Sequence, residues 1–201
     1  NHTGLLNAAT WFTSMYDRTM WPTLRQALVS ARGGNGTELQ RIAYDAYSRV
    51  GKYEFVGNDT SAFYAIGCWE SPAPPSAAGL AAAATRWSRG VAVPVMGASM
   101  AWSNAPCSTW FGHDGVPPGP AHTTTSAPII IVGTTRDPAT PYAWAQSLAR
   151  QMPTATLVTF AGDGHTAYGN DSACLQRTLD DYLLTGTVPP AGTRCTQRGY
   201  R

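Results

Sequence analysis

The sequence predicts an α/β fold in which a helical region leads into the edge of a parallel sheet, and three observations point to it. Residues 128–133, Pro-Ile-Ile-Ile-Val-Gly, form a continuous β-branched run bounded by Pro and Gly, the pattern of a strand covered on both faces in a parallel sheet. From that run onward strand, loop and helix follow one another twice, an order that builds one parallel βαβ unit with a closing helix. The first sixty residues instead carry apolar side chains at helical spacing.

Taken in order, Leu5, Leu6, Ala9, Phe12 and Tyr16 share one helical face. Trp21-Pro22 opens a second helix, with Pro at a first-turn position where its missing N–H costs nothing, and Leu24, Ala27, Leu28 and Ala31 on one side. Gly33-Gly34-Asn35-Gly36 ends it. Thr37 and Gln40 fit a capping box for a third helix to about Arg49, with Leu39, Ile42, Ala43 and Tyr47 inward. Ser71 to Ser76 holds three prolines and reads as a connection, followed by an Ala-rich helix from about Ala77 to Ser88. Pro106 to Ser126, rich in Pro, Gly and Thr, has no periodicity and reads as a long surface loop. After the 128–133 strand, Thr140-Pro141 caps and opens a helix to about Met152, and Ala155 to Phe160 forms the next strand. Asp171 or Ser172 then caps a last helix, with Leu175, Leu179, Tyr182 and Leu183 buried and Gly186 stopping it. Two strands alone are the edge of a larger sheet.

Composition narrows the function. Among 201 residues 43% are hydrophobic and 13% charged, about half the usual ~25% charged, so neither disorder nor a charge-driven surface describes the chain. The net charge of +2, without any Lys/Arg run, argues against a nucleic-acid partner or an anionic membrane. The longest apolar stretches, Ala77 to Ala84 and Val91 to Trp102, fall short of the ~18 residues of a membrane span. The chain starts at Asn1 with no charged and apolar leader, so any export signal is expected to be removed or to lie upstream. Cys68, Cys107, Cys174 and Cys195 allow three pairings, and none has the C-x-x-C or Cys/His spacing of a zinc site. No metal or cofactor is expected. Disulfides are the better reading, and they imply an oxidising, exported setting. Asn1, Asn35, Asn58 and Asn170 stand in N-x-[ST] triplets, acceptors where the host glycosylates exported chains.

In open parallel sheets functional groups gather beyond the carboxyl ends of the strands. Asp137 lies four residues past the first strand, in Gly133-Thr-Thr-Arg-Asp-Pro138, and His165 five past the second, in Gly162-Asp-Gly-His-Thr166. A carboxylate and an imidazole on one rim form the orienting half of a nucleophilic triad: the acid fixes the ring tautomer, and the ring removes the nucleophile's proton. The acid precedes the His, the chain order of α/β-hydrolases.

The stretches "PIIIVGTTRDPATPYAWAQSLARQMPTATLVTFAGDGHTAYG" and "CLQRTLDDYLLTGTVPPAGTRC" resemble the carboxyl-terminal region of the tripeptidyl-aminopeptidase-like branch of the α/β-hydrolases. Upstream, "MYDRTMWPTLRQAL" resembles that family's lid, "AFYAIGCWE" its A-I-x-C-x-[DE] segment and "APCSTW" its second cysteine motif. The resemblance implies the carboxyl-terminal part of an α/β-hydrolase sheet with a helical lid: residues 1–60 as lid, 61–127 as a connection with a disulfide-pinned loop, and 128–201 as core. It implies Asp137 as triad acid, His165 as triad base, and disulfides Cys68–Cys107 and Cys174–Cys195. The family's serine sits in a G-x-S-x-G elbow before the lid, so the nucleophile is expected in an amino-terminal companion segment. Ser99, in Val91-Ala-Val-Pro-Val-Met-Gly-Ala-Ser-Met-Ala, imitates an elbow. Only 37 residues separate it from Asp137, too few for the helix and strand an elbow needs, so it reads as a packing or solvent-facing serine.

Glu70 is either a solvated acid before the Pro-rich loop or the anion that receives a peptide's free α-amine; the family more often has Asp there. Trp69, Trp87, Trp102 and Trp110 read as packing at the lid junction, with an aromatic substrate pocket as the alternative. The function implied is an exported serine exopeptidase acting on peptides with a free amino terminus. An esterase or amidase of the same fold and a non-catalytic remnant that binds a partner are the alternatives.

Overall fold

The computed structural model describes residues 14–51, 54–70, 76–89, 94–112, 119–121 and 127–199. Most of the expected first helix, the 71–75 connection and much of the 106–126 loop lie outside the described residues. The chain divides into two compact units, one of Asn1–Ala9 with Ala27–Gly119 and one of Thr10–Gln26 with Pro120–Arg201.

The first unit is helical. Helix α1 (Trp21–Arg32), within which the unit boundary falls, contributes Ala27 to a small core with Ile42 and Ala43 of α2 (Thr37–Ala46). The expected capping box is not formed. Thr37 already lies in the first turn behind an N-cap at Gly36, and its amide donates to Asn35 Oδ1 at 3.1 Å, so Asn35 supplies the acceptor from outside the helix. α2 also stops early: Ser48 has φ 52° and Arg49 bridges to Phe55 in antiparallel fashion, which leaves Tyr47 half-exposed rather than inward. Helix α3 (Asp59–Trp69) had no sequence expectation, because its apolar residues run around the axis instead of along one stripe; only Cys68 is buried. α4 (Ala77–Trp87) is capped by Ser76, whose Oγ accepts from Gly79 N at 3.0 Å. α5 (Pro94–Trp102) packs against it. Cys107, on a 3-10 turn (Ala105–Thr109), is disulfide-bonded to Cys68.

The second unit holds a three-stranded, all-parallel sheet in the order β1-β2-β3: β1 (Ile129–Arg136), β2 (Ala155–Asp163) and β3 (Arg194–Thr196). Side chains alternate between its faces. On one face Gly133 lets α6 (Tyr142–Gln151) lie against β1, since a Cβ there would meet Tyr142 and Ala145 at 2.7–2.8 Å. On the other, Val158 and Phe160 form a core with Leu175 and Leu179 of α7 (Ala173–Thr185), and Ile130 and Val132 pack onto it. Burial of each of these large side chains is worth about 1.5–3 kcal/mol. Ile129, Ile130 and Val132 are only part-buried, short of the burial on both faces that the run suggests, because β1 is an edge strand among the described residues. Ser172 caps α7, its Oγ accepting from Leu175 N, while Asp171 turns to Arg18 and Arg198. The core cluster ends at Leu179, and Leu183 is 69% exposed, contrary to expectation. β3 is an unforeseen third strand, held to α7 by the Cys174–Cys195 disulfide.

Candidate active site at the strand ends

Strands β1 and β2 finish side by side and are stitched together there. Their register shifts between Thr134 and Arg136, a bulge of the kind that re-aims side chains next to functional sites. Thr135 Oγ1 accepts from Gly162 N at 3.2 Å, and Arg136 pairs with Asp163 at 2.6 Å. The buried Gln197, just past β3, accepts from Asp163 N at 3.0 Å through Oε1. The residues that follow each strand, Asp137 and His165, therefore share one rim.

His165 Nδ1 lies 3.0 and 3.1 Å from the two carboxylate oxygens of Asp137. The acid is otherwise occupied by its own turn: Oδ1 accepts from Ala139 N at 2.8 Å and Thr140 N at 2.9 Å, and Oδ2 from Thr140 Oγ1 at 2.9 Å. Its side chain is 5% exposed, that of His165 28%. Burial pushes the Asp137 carboxyl up, but the amides of Thr140 and Ala139, His165 and the Thr140 hydroxyl outweigh it and hold it below the usual carboxylate range. Both carboxylate oxygens facing Nδ1 are acceptors, and the Thr140 hydroxyl 3.5 Å from it spends its proton on Asp137, so a neutral imidazole carries its proton on Nδ1 and presents a lone pair at Nε2. Such a ring can take a proton from a hydroxyl and hold the resulting charge against the carboxylate.

Two residues here escaped sequence reasoning. Thr140, expected to cap α6, leaves the N-cap position to Pro141 and bonds Asp137 instead. Tyr16, expected on a helix face, lies in a turn; its carbonyl accepts from His165 N at 2.8 Å and its ring meets the imidazole edge-on, 4.7 Å between centroids. No local pattern reveals either contact, although the polar spacing Asp-x-x-Thr after a strand is the signature of a side-chain-bonded turn.

A profile of the family described as "TAP-like protein" matches residues 93–195, just over half of the chain. The chain belongs to the TAP-like family. This TAP-like chain is 35% identical over 199 residues to "Carboxylesterase B" of Mycobacterium tuberculosis (strain ATCC 25618 / H37Rv), an alignment taking in 96% of the chain and 36% of that protein. "Serine protease Hip1" of the same strain is 31% identical over 189 residues, 90% of the chain and 35% of that protein. "Tripeptidyl aminopeptidase" of Streptomyces lividans is 33% identical over 103 residues, 51% of the chain and 19% of that protein. The chain thus spans about a third of the length of the first two curated relatives.

Glu70 belongs to the other unit of the TAP-like chain, as the exposed C-cap of α3. It lines a cavity of about 550 Å³ with Ile66, Trp69, Trp110 and Phe111. Trp69, Trp87 and Trp102 are 40–49% exposed, not packed away. Ser99 sits in the middle of helix α5, without the strand-to-helix turn of an elbow. Among the described residues no group of three or more His, Cys, Asp and Glu is arranged to hold a metal, and no helix is long and apolar enough to cross a membrane.

Proposed function

We propose that the chain is the lid and carboxyl-terminal catalytic part of an exported serine exopeptidase that releases short peptides from free amino termini. In this reading residues 1–60 are the lid, 61–127 the connection and 128–201 the core, and a companion amino-terminal segment brings the nucleophilic serine and an oxyanion amide. The observation that carries it is the Asp137–His165 pair, with Nδ1 on the carboxylate and Nε2 left to act. Membership in the TAP-like family and relatives named as a serine protease and a tripeptidyl aminopeptidase support it. Two disulfides suit an oxidising compartment.

His165 Nε2 takes the serine proton as the oxygen attacks the scissile carbonyl, and Asp137 stabilises the imidazolium that forms. The same proton passes to the leaving amine, the acyl-enzyme is left, and water repeats the steps. Glu70 receives the substrate's ammonium group: among the described residues it is the acid lining an otherwise apolar, aromatic-walled cavity at the carboxyl end of α3, where the helix dipole also favours a cation. The relative named as a carboxylesterase favours a second reading, an esterase of the same machinery.

Turnover of a free tripeptide p-nitroanilide against its amino-terminally acetylated form, in the full-length protein and in Glu70→Gln, separates them. The exopeptidase reading expects the free amine to be preferred and the variant to lose that preference. Negligible turnover of both anilides beside rapid hydrolysis of a p-nitrophenyl ester, unchanged by the substitution, would favour the esterase.

A further inference from the structure

Within its own sequence the loop carrying His165 is tied beyond that residue by Asn170, which donates from Nδ2 to the Thr166 carbonyl at 3.0 Å and from its amide to that of Ala167 at 3.1 Å. His165 is flanked by two left-handed residues, Gly164 at φ +105° and Thr166 at φ 71°, and the second is a conformation that costs a β-branched residue about 1–2 kcal/mol. The loop is also held from the opposite end of the chain. The Tyr16 carbonyl accepts the His165 amide, and its ring rests against the imidazole. Arg18 reaches past it to Asp171 at 3.0 Å and to the carbonyl of Arg198. Residues 16–18 thereby grip the loop at both ends. Their own turn is locked by Asp17, which accepts from Thr19 N at 2.8 Å, and by Trp21 Nε1, which donates to the Ser14 carbonyl at 2.6 Å. Gly164 makes the grip possible: any Cβ there would lie 2.6 Å from the Tyr16 carbonyl oxygen.

We propose that Tyr16 is a positioning residue for His165, a strap whose carbonyl and ring keep the imidazole seated on Asp137 while Nε2 works. The proposal rests on reading His165 as the base. Asp137 fastens the ring at one nitrogen only, which leaves it free to swing with the loop; the edge contact of Tyr16 closes that freedom, and misplacement of a catalytic group by about 1 Å costs on the order of a hundredfold in rate. Burial, with the nearby charge of Asp137, raises the Tyr16 phenol above its ordinary value, so the strap stays neutral and adds no titration of its own.

The test uses the full-length protein with Tyr16→Phe, Tyr16→Leu, Tyr16→Ala, Gly164→Ala and His165→Ala, measuring the second-order rate of labelling by a fluorophosphonate and the kcat and KM on a p-nitrophenyl ester. Tyr16→Phe, which keeps carbonyl and ring, is expected to match the parent. Tyr16→Leu and Tyr16→Ala are expected to lose tenfold or more in labelling rate and kcat with KM within twofold. Gly164→Ala, which sets a Cβ against the Tyr16 carbonyl, is expected to lose as much through the other contact, the carbonyl–amide bond that Tyr16→Ala leaves in place. Tyr16→Leu keeps the apolar volume, so it carries the result if the Ala variant melts. Parent-like labelling and kcat in Tyr16→Leu beside an inert His165→Ala would overturn the strap and leave the base reading standing. Activity surviving in His165→Ala would overturn both.

Discussion

Asp137 owes its readiness to four donors, three of them arranged by six residues of sequence. Arg-Asp-Pro-Ala-Thr-Pro turns so tightly that the amides of Ala139 and Thr140 and the Thr140 hydroxyl all reach the carboxylate, and His165 supplies the fourth contact. Asp137→Asn would place an amide against Nδ1 and favour the wrong tautomer, so in the full-length protein kcat is expected to fall by about four orders of magnitude with little change in KM. A stability effect has its own sign. The lowered carboxyl pKa contributes stability above the unfolded value of about 3.9, and that contribution is lost as pH falls through the lower native value. Thr140→Ala removes one donor, so the native pKa rises towards the unfolded one, the contribution shrinks and its loss is complete at higher pH, whereas Thr140→Ser keeps the hydroxyl. Melting temperature against pH through the acid range reads this directly, and superimposed curves for parent and Thr140→Ala would contradict it. The meeting of Asp137 and His165 was legible in the sequence because parallel pairing brings successive strand ends to one rim. Thr140 was not, since Thr before Pro reads equally as a helix cap, and neither was Tyr16, whose partner lies at the far end of the chain.

At the scale of elements, long apolar runs were legible and short or unpatterned pieces were not. β1, β2, α6 and α7 follow from β-branched runs and from caps within a residue or two. α3 was hidden by apolar residues on all sides. β3 was hidden by its length of three residues, Arg-Cys-Thr, and owes its place to pairing with residues 159–161 of β2 and to the Cys174–Cys195 bond. That disulfide closes a loop with a sequence separation of 21, worth about 3 kcal/mol on the chain-entropy account. Its influence reaches the site, because Gln197 follows β3 by one residue and holds Asp163. Replacing both Cys174 and Cys195 by Ser is therefore expected to lower the melting temperature and to slow turnover, with Gln197→Ala slowing turnover at a smaller stability cost. Thermal melts and ester hydrolysis on the three proteins check this; full activity in the double Cys variant would separate β3 from the site.

Across the whole molecule, the sheet has an open edge at β1 among the described residues. β1 is paired on one side only among the described residues, and an unpaired parallel edge is a place where another strand adds. On the same unit Trp144, Leu183 and Leu184 are 62%, 69% and 83% exposed, apolar surface of the kind that marks a contact. Under the proposed function both belong to a companion segment that also carries the serine. The most direct measurement is fluorophosphonate labelling of the full-length protein and of residues 1–201 alone, with the labelled serine mapped by mass spectrometry. Stoichiometric labelling of one serine outside residues 1–201, abolished by His165→Ala, and no labelling of the shorter chain are expected. A label on Ser99, or on any serine within residues 1–201, would contradict the proposed function.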